Sequence, residues 1–256
     1  WFIFRVLKNN FLHRYKIVIQ YDGSFFKGWQ LQKSQKTVQG EIENALMTIA
    51  GSKSRIIVKG SGRTDAGVHA IGQVAHFDFD NHLTEKQLKN ALNFYTDENC
   101  KIMSLCKTHD RFDSRFDAKK RIYKYQIYFG KSILYRNQAW LKNDSIDVKI
   151  LNQLAGYVVG EHDFLSYSKY NPGLKNTKSH IYYSKWEIEN KMLTYKVCAN
   201  RFMHHMIRYL VGTMVAVSEG RFSIKHFKTL LHEPQKNVQI HKAPSCGLQL
   251  LDVEYD

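Results

Sequence analysis

The amino-acid sequence predicts an α+β protein made of two halves with antiparallel sheets. Apolar residues recur with period two in some segments and with period 3.6 in others, which is typical of alternating strands and helices. The order of these segments is the same in both halves. The 256 residues, 43% of them hydrophobic, are enough for one large domain or for two domains of about 100–150 residues.

The first half is predicted to contain four strands and two helices. Alternating apolar residues indicate strands at 15–21, 55–59, 75–79 and 102–108. The first helix covers 38–49, with Thr37 as its N-cap and Gly51 beyond its end. Thr84 and Gln87 form a candidate capping box at the start of the second helix.

The second half repeats this order, although its sequence is not visibly similar to that of the first. Strands are predicted near 123–129, 181–189, 193–199 and 248–250, and helices at 150–158 and about 203–218. The order βαββαβ is the split βαβ or ferredoxin-like arrangement. The predicted domains are therefore 14–115 and 116–256, with residues 1–13 as an N-terminal extension.

The chain is strongly basic, with 38 Lys and Arg against 23 Asp and Glu and a net charge of +15. Such an excess indicates a polyanionic partner, most commonly a nucleic acid. The aromatic content of 13% favours RNA, because unpaired bases stack on aromatic rings. Charge alone leaves open a basic protein without such a partner.

Two segments could contact a nucleic acid. One is the basic stretch 111–121, and the other is the predicted loop 163–179, where basic and aromatic residues are interleaved. The residues of this second mixture are Lys169, Lys175, Lys178, Phe164, Tyr167 and Tyr170. An ordinary solvated loop is an equally good interpretation of the second segment.

The sequence shows no secretory or membrane pattern. Its four cysteines, at 100, 106, 198 and 246, include no CxxC pair, so neither a disulfide framework nor a zinc ribbon is predicted. A reducing, cytoplasmic setting is expected. No apolar run reaches the roughly 18–20 residues of a membrane span. Residues 1–13 lack a signal-peptide cleavage pattern.

The most distinctive segment is GSGRTDAGVHAIGQVAHF at 60–77, in which glycines surround the triplet Arg63–Thr64–Asp65. Glycines let the backbone turn tightly and approach a ligand closely. The segment is not a Walker loop or a dinucleotide fingerprint, since no Gly-Lys-Ser/Thr follows and a strand comes next. Taken alone, it also fits a tight connection in which Asp65 caps a turn.

This segment resembles the active-site motif of the tRNA pseudouridine synthase A family, with Asp65 in the position of the essential aspartate. The resemblance covers almost the whole chain from Arg14 onward. Its further segments are YDGSFFKGWQLQ with TVQGEIENAL, SRFDAKKRIYKY, GEHDFLSYSK, NRFMHHMIRYLVGTM and APSCGLQL. The departures are Tyr209, where asparagine is commoner, and Phe116–Asp117 in a variable stretch. Neither departure involves the aspartate.

The resemblance implies an isomerase that converts uridine to pseudouridine in the anticodon stem-loop of tRNA, at tRNA positions 38, 39 and 40. It also implies a homodimer that binds tRNA across both subunits, and an active-site cleft between the two halves of the chain. No cofactor or metal is expected, because the reaction only exchanges the C1′–N1 bond of uridine for a C1′–C5 bond.

The same resemblance implies roles for five residues. Asp65 is the catalytic carboxylate, acting as a nucleophile or as a base. Arg208 pairs with Asp65, and Arg63 helps to extrude the target base. Tyr123 stacks on that base, and Leu248 packs against the uracil. From the residues alone, Arg208 is also compatible with a solvent-facing helix position, and Tyr123 and Leu248 with the strand core.

Two other functions stay open. One is a catalytically silent RNA-binding protein on the same scaffold, which a turnover assay would distinguish. The other is a basic ferredoxin-like module of the RNA-recognition-motif type, but the sequence lacks an RNP1-like strand. A metal site is not predicted, since no HExxH or CxxC spacing is present and the adjacent His204 and His205 should face different ways on a helix.

Overall fold

A computed structural model describes residues 12–143, 146–173 and 176–255, so most of the predicted extension lies outside the described residues. The first half contains β1 (His13–Tyr21), α1 (Val38–Ala50), β2 (Lys59–Gly60), β3 (His69–Phe79), α2 (Glu85–Tyr95) and β4 (Cys100–Thr108). The second half contains β5 (Lys120–Phe129), β6 (Trp140–Lys142), α3 (Val148–Tyr157), β7 (Gly160–Asp163), β8 (Lys178–Glu189), β9 (Met192–Ala199), α4 (Met206–Ser218), α5 (Ile224–His232) and β10 (Leu248–Glu254). The described residues thus form a mixed α/β fold with one large sheet and five α-helices.

The predicted caps of α1 and α2 are confirmed. The Thr37 side chain accepts a hydrogen bond from the Gly40 N–H, and Gly51 follows α1 with a left-handed φ of 59°. At α2, Thr84 and Gln87 bond reciprocally as a capping box. These helix ends are predictable because each capping side chain lies within three residues of the N–H group that it satisfies.

The predicted strand at 55–59 is wrong in extent, since β2 contains only Lys59–Gly60. Upstream of β2 the chain is tied to α1 through the buried carboxylate of Glu43. This carboxylate accepts hydrogen bonds from the Arg55 guanidinium at 2.6 Å and from the Val58 N–H at 3.0 Å. The Glu43 side chain thereby accepts the hydrogen bond that the Val58 N–H would otherwise donate to a neighbouring strand, and pairing with β3 begins only at Lys59.

Three short elements of the second half were not predicted, namely β6, β7 and α5, with three, four and nine residues. Strands of three or four residues are too short to establish a period, whereas the apolar residues of α5 do recur at helical spacing. The helix α4 also begins at Met206 rather than near residue 203. His205 has a left-handed backbone with φ 65°, so the helix cannot extend through it.

The strands of both halves belong to one sheet, in the order β4-β1-β3-β10-β5-β9-β8-β7, with β2 paired to β3 and β6 paired to β5. The two halves meet at a parallel pair, β3 with β10, in which Gln249 lies beside His69 and Leu250 beside Ala70. β3 begins directly after the GSGRTDAG segment. The last strand of the chain is therefore adjacent to the most distinctive loop of the first half.

The first part of the loop at 163–179 contributes to the core. Phe164 and Tyr167 are fully buried, and the Tyr167 hydroxyl donates a hydrogen bond to the Phe227 carbonyl at 2.8 Å. Tyr170 is 44% exposed and is accessible for stacking. The interpretation of this loop as an interleaved RNA surface is therefore wrong for Phe164 and Tyr167, while Lys175 lies outside the described residues.

No helix in the described ranges is long and apolar enough to cross a membrane. The cysteines at positions 100, 106, 198 and 246 are free thiols.

Candidate active site

The GSGRTDAG loop is held in place by its backbone and by Thr64. The Thr64 hydroxyl shares a hydrogen bond of 2.8 Å with the Tyr21 hydroxyl, and the Thr64 carbonyl accepts one of 3.1 Å from the Trp29 N–H. Gly28 packs so closely that a Cβ there would lie 2.7 Å from the Thr64 carbonyl oxygen. These contacts fix the backbone next to Asp65 and leave its side chain free to point toward the second half.

The Asp65 carboxylate is surrounded by cationic or polar side chains from α4 and from the two residues that precede it. Arg208 donates from Nη1 to Asp65 Oδ2 at 2.9 Å. The Nε2 atom of His205 lies 3.3 Å from the same oxygen, and His204 Nε2 lies 3.3 Å from Oδ1. Asp65 therefore contacts side chains of the second half, an arrangement that does not fit an aspartate that only caps a turn in its own loop.

Arg208 is oriented before any substrate is present. Its Nε donates to the Ala243 carbonyl at 2.8 Å, and the Ala243 N–H donates to the Arg208 carbonyl at 3.0 Å. The side chain is only 12% exposed. Because Ala243 begins the APSCGLQL segment, this segment acts as a support for the arginine that contacts Asp65. The solvent-facing interpretation of Arg208 is thus wrong.

The expectation that His204 and His205 face different ways is also wrong. Both residues precede α4 rather than lying within it, and their rings are 3.9 Å apart between centroids. The left-handed backbone of His205 turns both imidazoles toward Asp65. Adjacent positions on a regular helix would have separated them by about 100°.

Asp65, His204 and His205 have potential ligand atoms within 4.8 Å of one another, which is close enough to hold a metal ion. Arg208 lies 2.9 Å from the same carboxylate and places a positive charge where a cation would have to bind. The prediction of a reaction without metal stays a prediction, and turnover in the presence of a chelator tests it.

Tyr123 and Leu248 lie on the same face of the sheet. Tyr123 on β5 is opposite Leu250 of β10, and Leu248 is opposite Tyr125, so the two predicted site residues are diagonal neighbours. Both are largely buried, at 8% and 6% exposure. Burial raises the pKa of Tyr123 to about 12, and the nearby Asp65 charge contributes in the same direction. The phenol is thus neutral and lies within the electrostatic reach of Asp65.

The loop before β10 packs directly on the GSGRTDAG loop. Gly67 has a φ of 78°, and a Cβ at this position would lie 2.6 Å from the Ser245 hydroxyl oxygen. The Ser245 carbonyl in turn accepts a hydrogen bond from the Leu248 N–H at 3.0 Å. Only glycine satisfies both the positive φ and this close approach, which explains the third glycine of the motif.

Arg63 is placed differently from the other predicted site residues. Its side chain is exposed, and it forms no ion pair or hydrogen bond with the residues that the structure describes. It lies two residues before Asp65, on the rim of the loop rather than against the carboxylate. Its guanidinium is therefore accessible to an external anion.

Sequence reasoning missed Arg121, which holds the segments around the site together. Its guanidinium donates to the carbonyls of Ser61, Arg115, Ala118 and Asn200, at 3.2, 2.6, 2.8 and 2.7 Å. These acceptors belong to the GSGRTDAG loop, the connection between the halves, and the segment that leads to His204. The sequence contains no signal for this role, because the partners are backbone carbonyls that any residue provides.

The chain is similar to known proteins over nearly its whole length. A family model described as "tRNA pseudouridine synthase" matches residues 17–117 and 154–256. The chain is 38% identical over 247 residues to tRNA pseudouridine synthase A of Ehrlichia chaffeensis, covering 94% of this chain and all of that protein. It is 34% identical over 247 residues to tRNA pseudouridine synthase A 2 of Bacillus cereus, covering 95% and 100%. It is 36% identical over 253 residues to tRNA pseudouridine synthase A of Ehrlichia ruminantium, covering 94% and 99%.

Proposed function

Because the chain belongs to the tRNA pseudouridine synthase family, we propose that Asp65 is the carboxylate with which it isomerises uridine to pseudouridine in tRNA. The observation that supports this assignment is the convergence of Arg208, His204 and His205 on the carboxylate of Asp65. A carboxylate held by the opposite half of the chain, at the tip of a rigid loop, has the fixed geometry that catalysis needs.

The reaction breaks the C1′–N1 glycosidic bond and forms a C1′–C5 bond, while C5 loses a proton to water and N1 gains one. The two carboxylate oxygens of Asp65 are not equivalent for this chemistry. Arg208 and His205 contact Oδ2, whereas Oδ1 is approached by His204, whose side chain is 55% exposed. Oδ1 is therefore the oxygen that attacks the nucleotide as a nucleophile or starts cleavage as a base.

Arg208 is the residue that holds Asp65, and Tyr123 with Leu248 forms the apolar wall for the detached uracil. Arg63, exposed on the same loop, contacts the RNA and helps to extrude the target nucleotide. Extrusion from a stacked position requires a few kcal/mol, which contacts of this kind must offset. The burial of Tyr123 and Leu248 on one sheet face supports the wall, and the exposure of Arg63 supports the RNA contact.

The proposed architecture is two ferredoxin-like halves, 14–115 and 116–256, with the site in the cleft between them. Two strand orders support this division, β4-β1-β3-β2 in the first half and β10-β5-β9-β8 in the second. Neighbouring strands within each set of four are antiparallel. Asp65 comes from the first half and Arg208 from the second, so a cleft between halves is where the two meet.

Three finer statements about the function rest on the family resemblance. The proposed targets are uridines 38, 39 and 40 of the anticodon stem-loop, and the proposed active form is a homodimer in the cytoplasm. Mapping pseudouridine in tRNA from cells with and without the gene tests the targets. Loss of pseudouridine outside the anticodon stem-loop, with these positions unchanged, would contradict the proposal. The mass of the protein in solution tests the dimer.

Turnover itself is tested with tRNA that carries tritium at C5 of uridine. The wild type should release tritium to water without any nucleotide, and equally in the presence of a metal chelator, because the isomerisation consumes no cofactor. If the wild type binds unmodified tRNA but releases none, the protein is the catalytically silent RNA-binding alternative. If release stops when the chelator is added, the reaction depends on a metal ion and the prediction of a reaction without metal is wrong.

Binding of tRNA should depend strongly on salt, because a net charge of +15 implies several contacts to phosphates. Four such contacts would give a slope of log K against log salt of about −3 through release of counterions. Titrations at a series of salt concentrations measure this slope. A slope shallower than about −1 would show that phosphate contacts contribute little to affinity.

Replacing Tyr123 by leucine should lower turnover much more than affinity for tRNA. Affinity comes from many phosphate contacts, whereas Tyr123 would touch one base, and loss of a stacked base is worth about 1–3 kcal/mol. We expect kcat to fall by about 10–100-fold while the Kd for tRNA changes by less than about threefold. The Tyr123→Phe variant keeps the ring, so its kcat should lie between that of the wild type and that of Tyr123→Leu. Parallel losses in kcat and Kd would assign Tyr123 to general RNA docking or to the core.

A further inference from the structure

His205 has an unfavourable backbone conformation for its position in the fold. Its φ of 65° lies in the left-handed region, which residues with a Cβ rarely adopt. In the described ranges, three other non-glycine residues have a positive φ, namely Ser34, Asn190 and Asn237, and all three are exposed. His205 differs because its side chain is only 13% exposed.

The imidazole of His205 is also incompletely satisfied. Its Nδ1 atom is buried and has no hydrogen-bond partner. The residue occupies the N-cap position of α4, yet its side chain makes no capping bond to the helix. A buried polar atom without a partner is unfavourable and is uncommon in native structures. The backbone strain and the unpaired nitrogen therefore occur at the same residue.

The left-handed backbone and the unpaired Nδ1 both occur where the His205 ring approaches Asp65. His205 Nε2 lies 3.3 Å from Oδ2, the oxygen that also accepts from Arg208. Residues in sparsely populated conformations persist where the surrounding structure requires them, often at active sites. At 3.3 Å the two atoms are within ion-pair range, but the contact is longer than the usual ~2.9 Å and is not aligned as a hydrogen bond. Catalytic hydrogen bonds are often long without substrate and tighten in the complex.

We propose that His205 is a positioning residue for the isomerisation, in which its Nε2–H donates to Asp65 Oδ2 and keeps Oδ1 directed at the target nucleotide. This role rests on the proposed function of Asp65. With Arg208 it gives Oδ2 two donors from different directions, so rotation of the carboxylate about its Cβ–Cγ bond is restrained. His204, more exposed and next to Oδ1, moves aside when the nucleotide enters.

The charge state of His205 suits this role. Burial lowers its pKa to about 4, with the Asp65 charge acting in the opposite direction and the charges of His204, Lys242 and Arg208 adding to the lowering. The imidazole is therefore neutral at neutral pH and carries one proton. Since Nδ1 has no acceptor, the proton belongs on Nε2, where the carboxylate accepts it.

Two amide variants separate positioning from a merely structural role. The amide nitrogen of glutamine lies as many bonds from Cα as Nε2 of histidine, whereas that of asparagine corresponds to Nδ1. Asparagine, however, tolerates the left-handed backbone better than glutamine. If His205 is only structural, His205→Asn should be the more active variant, because it is the more stable one. If His205 positions Asp65, His205→Gln should be the more active variant, because its amide can reach the carboxylate.

The experiment measures kcat and KM for tritium release, together with the thermal unfolding midpoint, for the wild type and both variants. His205→Asn should lower kcat by about 10–100-fold with KM within about threefold, because a misplacement of about 1 Å can cost 10²-fold in rate. His205→Gln should keep severalfold more turnover than His205→Asn, although its unfolding midpoint is equal or lower.

Every other order overturns the proposal. Equal kcat in the two variants, or higher kcat in His205→Asn, would mean that the reach of the donor toward Asp65 is irrelevant. A kcat within about twofold of the wild type in His205→Asn would exclude a role in turnover. The wild-type measurement distinguishes this proposal from the proposed function. An inactive wild type overturns the proposed function itself. An active wild type, with a kcat in His205→Gln no higher than in His205→Asn, overturns only the role of His205.

Discussion

Asp65→Asn is expected to abolish tritium release from uridine C5 while leaving the fold and most of the tRNA affinity intact. The amide has the size of the carboxylate and can still accept a hydrogen bond from Arg208, so the loop should keep its shape. It lacks the negative charge and the nucleophilic oxygen, so neither attack nor base catalysis can begin. Extensive contacts elsewhere on the tRNA should hold affinity within about tenfold, or roughly 1.4 kcal/mol.

Asp78 provides a matched control for this substitution. Its carboxylate also pairs with an arginine, Arg14, at 2.7 Å, but it lies at the opposite end of β3 from the motif. The hydrogen bond from Arg14 lowers the pKa of Asp78, so Asp78→Asn removes a stabilising charge without touching the site. Asp78→Asn should turn over tRNA at the wild-type rate per folded molecule. Normal turnover in Asp65→Asn would show that the catalytic assignment of the GSGRTDAG loop is wrong.

Arg208→Met should reduce both turnover and stability. Arg208 is 12% exposed, and its loss removes the guanidinium from the Asp65 carboxylate, which is 18% exposed, and leaves the Ala243 carbonyl without its side-chain donor. Breaking a buried pair from one side costs about 3–5 kcal/mol. The partial exposure of Asp65 places this variant nearer to about 2–3 kcal/mol. Turnover should fall by at least about 10²-fold, because the carboxylate is no longer held in one orientation.

Two further variants test whether the pair explains this result. Arg208→Lys keeps the charge but cannot reach Ala243 and Asp65 with one planar group, so partial activity is expected. In the double variant Asp65→Asn/Arg208→Met, the loss of unfolding free energy should be smaller than the sum of the single losses, because both changes remove the same interaction. Denaturant unfolding measures these values. Full activity in Arg208→Met would mean that Asp65 has a different essential partner.

The regular elements of the fold were largely predictable from local sequence. Alternating residues at 15–21 and 181–189 lie within β1 and β8, and the caps of α1 and α2 are formed by the residues expected. Failures occurred where a long-range contact or an unusual backbone conformation decided the local structure. Glu43 removes the backbone of Val58 from the sheet, and the strained His205 delays the start of α4. Neither effect produces a periodic pattern or a characteristic residue spacing in the sequence.

Asp65 could be chosen from the sequence because the motif around it combines glycines, a basic residue and a carboxylate in an order that resembles one family. The same information identified Arg208 as its partner. The donors that surround the carboxylate could not be chosen in this way. His204 and His205 were expected to diverge, and only their position before α4, with a left-handed residue between loop and helix, turns both rings to Asp65.

The amino-acid sequence therefore determined the class of the fold and the basic character, since these depend on residue type and period, and its resemblance to one family pointed to Asp65. The tertiary structure decided how the two halves join and what touches Asp65. The parallel pair of β3 with β10 and the four carbonyl contacts of Arg121 connect residues far apart in the chain. Contacts of this kind depend on which surfaces meet after folding, and backbone partners carry no sequence signal.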